Sequence, residues 1–207
     1  VSLEEKYGGM GMDFVSTMLA VDYVSGCTGS VATAYGAQTG IAILPIYLYG
    51  NEDQKQKYLP KLASGEHIGA WGLTEPNTGS DAGNMKTTAT RDGEDWILNG
   101  SKNFITHGIS GEIAVVMTRT GDPRSKNNST AFIVERGTKG FSGGKKEDKL
   151  GMRASETSEM VFQDCRISDD QRLGEVGDGF KQALSILDGG RISIAALSIS
   201  CLLYTSD

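Results

Sequence analysis

The sequence has little of what stapled or metal-held domains need. Its three cysteines, Cys27, Cys165 and Cys201, are an odd number, widely spaced and without a Cys-x-x-Cys pair. That argues against a disulfide framework and points to a reducing compartment. His67 and His107 are the only histidines, and neither has a second His or Cys at ligand spacing, so no metal site is expected. An excess of basic charge is missing as well. Twenty Lys and Arg stand against 26 Asp and Glu, a net charge of −6, so no whole-chain field favours nucleic acid or an anionic membrane. Uninterrupted apolar runs such as Ile41–Leu44 and Ile194–Leu197 fall far short of the roughly 18–20 residues that cross a bilayer. A soluble protein with neither nucleic-acid nor membrane partners is expected.

Phosphate-binding glycine loops are also lacking, although the chain has 28 glycines. Gly9-Met-Gly11 has no third glycine and no preceding strand, Gly174-Glu-Val-Gly-Asp-Gly179 has the wrong spacing, and Gly143-Gly-Lys-Lys lacks the earlier Gly and the Ser or Thr. A Rossmann or P-loop fold is therefore not expected. What is present suits a folded chain: 38% hydrophobic and 22% charged residues over 207 positions, room for one large domain or two small ones. The sequence opens on Val1 with no basic-then-apolar leader, and is expected to start inside a larger protein.

Residues 1–70 read as helical. From Asp13 to about Cys27, Phe14, Met18 and Val21, with Val15, Leu19 and Val24 alongside, recur at helical spacing and define one buried face, with Asp13 as its cap. Ser30–Leu44 is small and apolar nearly all round and is expected to stop before Pro45. Asn51-Glu-Asp-Gln opens a third helix with a capping residue and acids in the first turn. Residues 71–176 then read as an antiparallel β domain, a barrel or sandwich. Thr87–Arg91 and Trp96–Leu98 flank an Asp92-Gly93 turn, and Asn99-Gly100 reads as a second turn into Phe104–Thr106. Ala114–Thr118, Ala131–Glu135 and Met160–Cys165 are further strands, and Lys145–Lys149 reads as a solvated loop of mixed charge. No crossover helices separate these strands, which argues against parallel pairing. Residues 177–207 begin a second helical region, with Phe180, Leu184, Leu187, Arg191 and Ala195 on one stripe interrupted at Gly189-Gly190. The α, β, α order lets the two helical regions pack together.

Trp71-Gly-Leu-Thr-Glu-Pro-Asn-Thr-Gly-Ser-Asp-Ala82 is too apolar at its start for a plain surface loop. It offers backbone amides and the Thr74 and Ser80 hydroxyls to a polar ligand, or else is a strand entering a turn. With Ile97–Thr106, Lys149-Leu-Gly-Met-Arg153, Phe162–Ile167 and Leu187-Asp-Gly-Gly-Arg191, it resembles the acyl-CoA dehydrogenase family in order and spacing, and short-chain, butyryl-CoA-type members most. The resemblance runs from Tyr7 to about Ser200.

That resemblance implies a multi-domain α and β fold: an N-terminal helical domain, partial here, a middle β domain, and the start of a C-terminal helical domain. It implies FAD as cofactor, an acyl-CoA substrate, an electron-transferring flavoprotein as partner, and a homotetramer. The location implied is the cytoplasm of a bacterium or the mitochondrial matrix of a eukaryote. The activity implied is α,β-dehydrogenation of a short-chain fatty acyl-CoA to the trans-2-enoyl-CoA. An oxidase of the same fold, or an inactive fragment that binds flavin or CoA in part, are the alternatives. Trp71, Gly72, Leu73, Thr74, Gly79 and Ser80 match one flavin-contacting segment, and Phe104, Ile105 and Thr106 a second. Ser80, Asp188 and Arg191 match residues that hold the acyl-CoA, where Arg suits phosphate or carbonyl oxygens. Family members commonly carry Asn where this chain has His107. The family's base is usually a Glu in the C-terminal domain, beyond this chain, and in a minority lies on the helix before the Arg, where this chain has Gly190. No catalytic residue is assigned within the 207 positions. Cys201-Leu-Leu-Tyr-Thr-Ser-Asp207 resembles neither the family's continuation nor a helix end and reads as foreign.

Overall fold

A computed structural model describes residues 2–205 except 123 and 126. Ser206 and Asp207, at the end of the stretch read as foreign, lie outside the described residues. Helix α1 (Phe14–Ser25) begins as expected, Asp13 Oδ1 accepting the Ser16 amide at 2.8 Å. Its expected face is only partly buried: Val21 is covered, while Phe14, Val15 and Leu19 are exposed. Helix α4 (Glu52–Ser64) starts with a complete capping box, Asn51 Oδ1 taking the Gln54 amide at 2.8 Å and Gln54 Oε1 the Asn51 amide at 3.0 Å.

The middle helix does not stop before Pro45. Helix α2 (Gly29–Gly36) widens into a π-helical turn at Ala37–Ala42 and resumes as α3 (Ile43–Tyr49), which contains the proline. A wide turn separates the proline ring from the carbonyl one turn back, the clash that otherwise breaks a helix, and Pro45 falls in the first turn of the resumed α pattern.

Eight strands form one sheet: β1 (Gly69–Gly72), β2 (Thr88–Asp92), β3 (Asp95–Thr106), β4 (Ile113–Arg119), β5 (Ser129–Glu135), β6 (Phe141–Lys146), β7 (Thr157–Ser168) and β8 (Arg172–Leu173). The hydrogen-bonded order is β6-β7-β3-β2-β4-β5-β8. The sheet is mixed rather than purely antiparallel, because β1 pairs in parallel with β4, Gly69 opposite Ile113 through Gly72 opposite Val116. The crossover between them is the β2–β3 hairpin, so no helix is needed. Thr88 of β2 meets Arg119 in parallel farther along β4, placing β1 and β2 end to end against that strand.

The Asp92-Gly93 turn closes that hairpin with Gly93 at φ 65°. Asn99-Gly100 is not a turn. β3 runs straight through it, with a shift in pairing against β7 between Leu98 and Gly100. Gly100 sits at φ 138°, and a Cβ there would lie 2.7 Å from Thr87 Cα. Close approach of two backbones thus explains a signal that resembles a turn. Lys145 and Lys146 of the expected charged loop end the edge strand β6, whose charge blunts an exposed ladder.

Side chains of β4 and β5 alternate between two cores. Ile113, Val115, Met117, Ala131 and Ile133 face the helices, packing with Ile43, Ile46, Leu59 and Leu62. Ala114, Val116, Phe132 and Val134 face the remaining strands, with Trp96, Leu98, Met160 and Phe162. Helix α5 (Gly179–Thr205) continues without a break through Gly189-Gly190 and includes Cys201. Two glycines cost a long helix about 1 kcal/mol each, which packing overcomes. Its buried face is also not the expected stripe: Ala183, Ile186 and Leu197 are covered while Leu184, Arg191 and Ala195 are exposed. The helix is apolar nearly all round, so periodicity alone could not choose the face. α5 packs on α1 and α2 through Leu197, Val21 and Ala32, joining the chain's two helical regions. Two helical stretches, Gly29–Tyr49 and Gly179–Leu203, are long and apolar enough to cross a membrane even though no uninterrupted apolar run is.

Candidate active-site cleft

A largely apolar cleft of about 440 Å³ opens where α1, α2, the π-helical turn, α5 and the ends of β1 and β3 converge. Gly36 and Gly40 keep the helical wall low, since a Cβ at either would meet nothing within 4 Å. From the sheet side come Trp71 and Thr106, and from α5 come Leu187, Gly190 and Arg191. Three residues singled out in three separate motifs therefore meet in one place: Trp71, Thr106 and Arg191. Trp71 is 8% exposed, and its indole Nε1 is buried without a hydrogen-bond partner. A buried donor left unpaired is costly, which marks this wall as a place where a polar ligand atom is wanted.

The other expected site residues surround this core. Gly72 and Leu73 lie buried behind it, and the half-buried Thr74 accepts the Asn103 amide at 2.8 Å. Gly79 and Ser80 are exposed on the loop between β1 and β2. Ile105 is buried in the strand core, whereas Phe104 is 62% exposed. Phe104 has φ 58° and falls where the β3–β7 pairing shifts between Lys102 and Ile105. A bulge of this kind re-aims a side chain, and here it turns the ring out of the sheet. Asp188 and Arg191 pair at 3.4 Å, both largely exposed at the rim.

The turn after Thr106 is fixed from two sides. His107 has φ 61°, a region His and Asn enter more readily than most residues, and its Nδ1 lies 3.1 Å from the Gly69 carbonyl. Glu156 accepts the amides of Ile109 and Ser110 at 2.8 and 3.0 Å. Burial pushes the Glu156 carboxyl up, but those amides outweigh it and hold it below its ordinary value.

Sequence reasoning quoted Glu75 and Lys102 within motifs and gave them no role. They form a buried ion pair at 2.8 Å, with side-chain exposures of 3% and 0%. Glu75 also accepts the amides of Lys86 at 2.5 Å and Thr87 at 2.9 Å, and Lys102 Nζ donates to the Leu73 carbonyl at 3.1 Å. Burial pushes Glu75 up, but the Lys102 ammonium and the two amides outweigh it and hold the carboxyl low. Burial brings Lys102 down to about 8 against the pull of Glu75. The available signal was a charged residue at an inward-facing position of each motif.

The chain matches two family profiles, the acyl-CoA dehydrogenase N-terminal domain over residues 1–66 and the acyl-CoA dehydrogenase middle domain over residues 70–165. It is 46% identical to the short-chain specific acyl-CoA dehydrogenase of Megasphaera elsdenii over 200 residues, 95% of this chain and 52% of that protein. It overlays, at a TM-score of 0.94 and 44% identity, a chain in a structure described as the electron transferring flavoprotein of Acidaminococcus fermentans, covering 97% of this chain and 53% of the other. A Bacillus anthracis acyl-CoA dehydrogenase complexed with FAD overlays at 0.90 and 39% identity, covering 96% and 34%. This chain belongs to the acyl-CoA dehydrogenase family, and carries its N-terminal helical and middle β domains followed by a further helix. It spans about half the length of the curated relatives it matches.

Proposed function

We propose that the protein to which this chain belongs is an FAD-dependent dehydrogenase of short-chain acyl-CoA thioesters that hands its electrons to an electron-transferring flavoprotein. The observation that carries this reading is the meeting of Trp71, Thr106 and Arg191 in one apolar cleft, with the Trp71 indole N–H unpaired. An apolar cleft of about 440 Å³ with an unmet donor at its wall can take a heteroaromatic ring system. The short-chain specificity of the Megasphaera elsdenii relative, the FAD in the Bacillus anthracis structure and the flavoprotein context of the Acidaminococcus fermentans structure support the finer parts.

On this reading Trp71 to Thr74, Gly79, Ser80 and Phe104 to Thr106 would hold FAD, and Ser80, Asp188 and Arg191 the acyl-CoA. Bound FAD would supply the two-electron acceptor for α,β-dehydrogenation. The chain's own residues exclude water from one side of the thioester, through Leu187, Ile194 and Leu197 along the cleft. Arg191 offers a cation at the rim to the anionic CoA portion. Gly189 and Gly190 leave the adjoining helix turn without side chains, so the thioester can lie close to its backbone. An α-proton of a thioester is a weak acid and needs a positioned carboxylate. Among the described residues no carboxylate lines the cleft, and Asp188 is turned to the rim. On this reading the base is supplied from outside the residues that line the cleft here.

The decisive experiment is anaerobic addition of butyryl-CoA to the whole purified protein. Bleaching of its flavin absorbance near 450 nm supports the proposal, whereas a colourless protein, or a flavin that no short acyl-CoA bleaches, overturns it. Hydrogen peroxide formed in air would assign an oxidase instead.

A further inference from the structure

β1 and β3 carry the two segments assigned to flavin, yet they share no strand ladder. β1 pairs only with β4, and β3 with β2 and β7, among the described residues. The sheet links Trp71–Thr74 to Phe104–Thr106 only at second hand, through β4 and β2, so bonds made directly between the two segments bear on their spacing. The direct bonds are the Asn103 amide to the Thr74 carbonyl and those of Lys102 Nζ to the Leu73 carbonyl and Glu75, with His107 Nδ1 against the Gly69 carbonyl at the other end of β1. Lys102 reaches them by passing behind Gly72, where a Cβ would come within 3.2 Å of its Cγ. Glu75 in turn closes the loop that bears Gly79 and Ser80. Its backbone exchanges hydrogen bonds with Thr78 at 2.9 and 3.2 Å, and its carboxylate takes the Lys86 and Thr87 amides at the far end.

We propose that the Lys102–Glu75 pair is a positioning device, which fixes the distance and register between the β1 and β3 segments and the intervening loop so that both face one flavin. The inference rests on the FAD reading above for its ligand, but its geometry stands on this chain alone. An apolar pair of the same volume would be cheaper to bury than two charges. What the charges add is direction. An ammonium satisfied by one carbonyl and one carboxylate, and a carboxylate satisfied by two amides and that ammonium, favour a single arrangement, whereas apolar side chains would let the segment from Leu73 to Glu75, beyond the β1 ladder, shift against β3.

The test uses the 207-residue chain and the double variant Lys102→Met with Glu75→Gln, which removes both charges and keeps side-chain length. Backbone hydrogen exchange is read at Asn103, Lys86 and Thr87, with the β4 and β5 amides as internal reference. FAD binding is read by quenching of flavin fluorescence and by visible circular dichroism of the bound flavin. Expected are at least tenfold faster exchange at Asn103 with the β4 and β5 amides unchanged, an FAD Kd raised tenfold or more, and an altered visible dichroism. Should the double variant fail to fold, Lys102→Met alone, which leaves Glu75 bonded to the Lys86 and Thr87 amides, is expected to show the same faster exchange at Asn103. Unchanged exchange at Asn103 overturns the proposal, and so does faster exchange spread equally over β4 and β5. Unchanged FAD affinity beside altered exchange reduces the pair to a structural role and overturns it too. If the unaltered chain binds no FAD, the FAD reading is decided on the whole protein, and exchange at Asn103 decides whether the clamp exists.

Discussion

Strand pair β4–β5, rich in Val, Ile and Ala, and helix α5, rich in Leu, Ile and Ala, are both strongly apolar, and they are buried to opposite degrees. Every residue from Ile113 to Thr118 and from Ser129 to Val134 is covered, because each strand alternates between two cores and has no free face. On α5, Ile192, Ile194 and Ile199 are each more than half exposed, because a helix packed on one side can bury only one stripe. Apolar composition is thus a poor guide to which residues hold the fold. The contrast also separates tasks: the sheet supplies the tightly packed core, and the helix supplies one wall of the cleft.

The sharpest way to exploit that difference is Phe132→Ala. Phe132 is fully buried, with its ring 5.2 Å from that of Trp96, and truncation should cost about 3–5 kcal/mol in urea denaturation. A cost within about 0.5 kcal/mol, as for ordinary surface positions, would mean that the strand-side core is no tighter than the helix surface. Acid probes the junction between sheet and loop. The Glu75 carboxyl lies below its ordinary value of 4.5 in the folded chain, so its contribution to stability is fully present above pH 4.5 and is lost as pH falls through the lower folded value. Denaturation midpoints followed from pH 6 to pH 3 should fall less steeply in Glu75→Gln than in the unaltered chain; parallel curves would remove Glu75 from that accounting.

Glycines sharpen the comparison, since one substitution should have opposite signs in the two regions. In the sheet, Gly100→Ala forces a left-handed φ of 138° on a residue with a Cβ and drives that carbon to 2.7 Å from the Thr87 backbone. A loss of about 1–3 kcal/mol is expected, seen as a lower urea midpoint. A neutral result would mean that the Thr87 backbone can move away from β3 beside Gly100 without cost.

Local rules made much of this fold readable. Asp13 and Asn51 announced their helices through side chains that cap orphan amides, and Asp92-Gly93 announced its hairpin through a backbone region that Gly favours. What stayed hidden depends on partners distant in sequence. Asn99-Gly100 has the composition of a turn, and only Thr87 pressing on Gly100 makes it a bulge. Pro45 stops a regular helix, and only the π-helical turn before it lets α3 continue. In the cleft, Trp71, Thr106 and Arg191 were found through the family resemblance, whereas the roles of Glu75 and Lys102 were not. In one dimension each is a lone charge at an inward-facing position, with nothing to name its partner. Their pairing across 27 positions emerges only when β3 is laid beside the end of β1.

The smallest expected effect lies in α5 and runs the other way. Gly189 is inside a continuous helix, and a Cβ built on it meets nothing within 4 Å. Gly189→Ala therefore adds no clash and demands no unusual φ, while it removes backbone freedom from the unfolded chain and raises helix propensity. A gain of about 0.4–1 kcal/mol is expected, read as a higher urea midpoint at unchanged denaturant slope. The sign carries the argument, since Gly100 and Gly189 would be treated alike by composition. A loss at Gly189 would show that α5 bends or parts there in solution, as the paired glycines alone suggested. The helix would then be two segments hinged beside Arg191, and the cleft wall would move with the second of them.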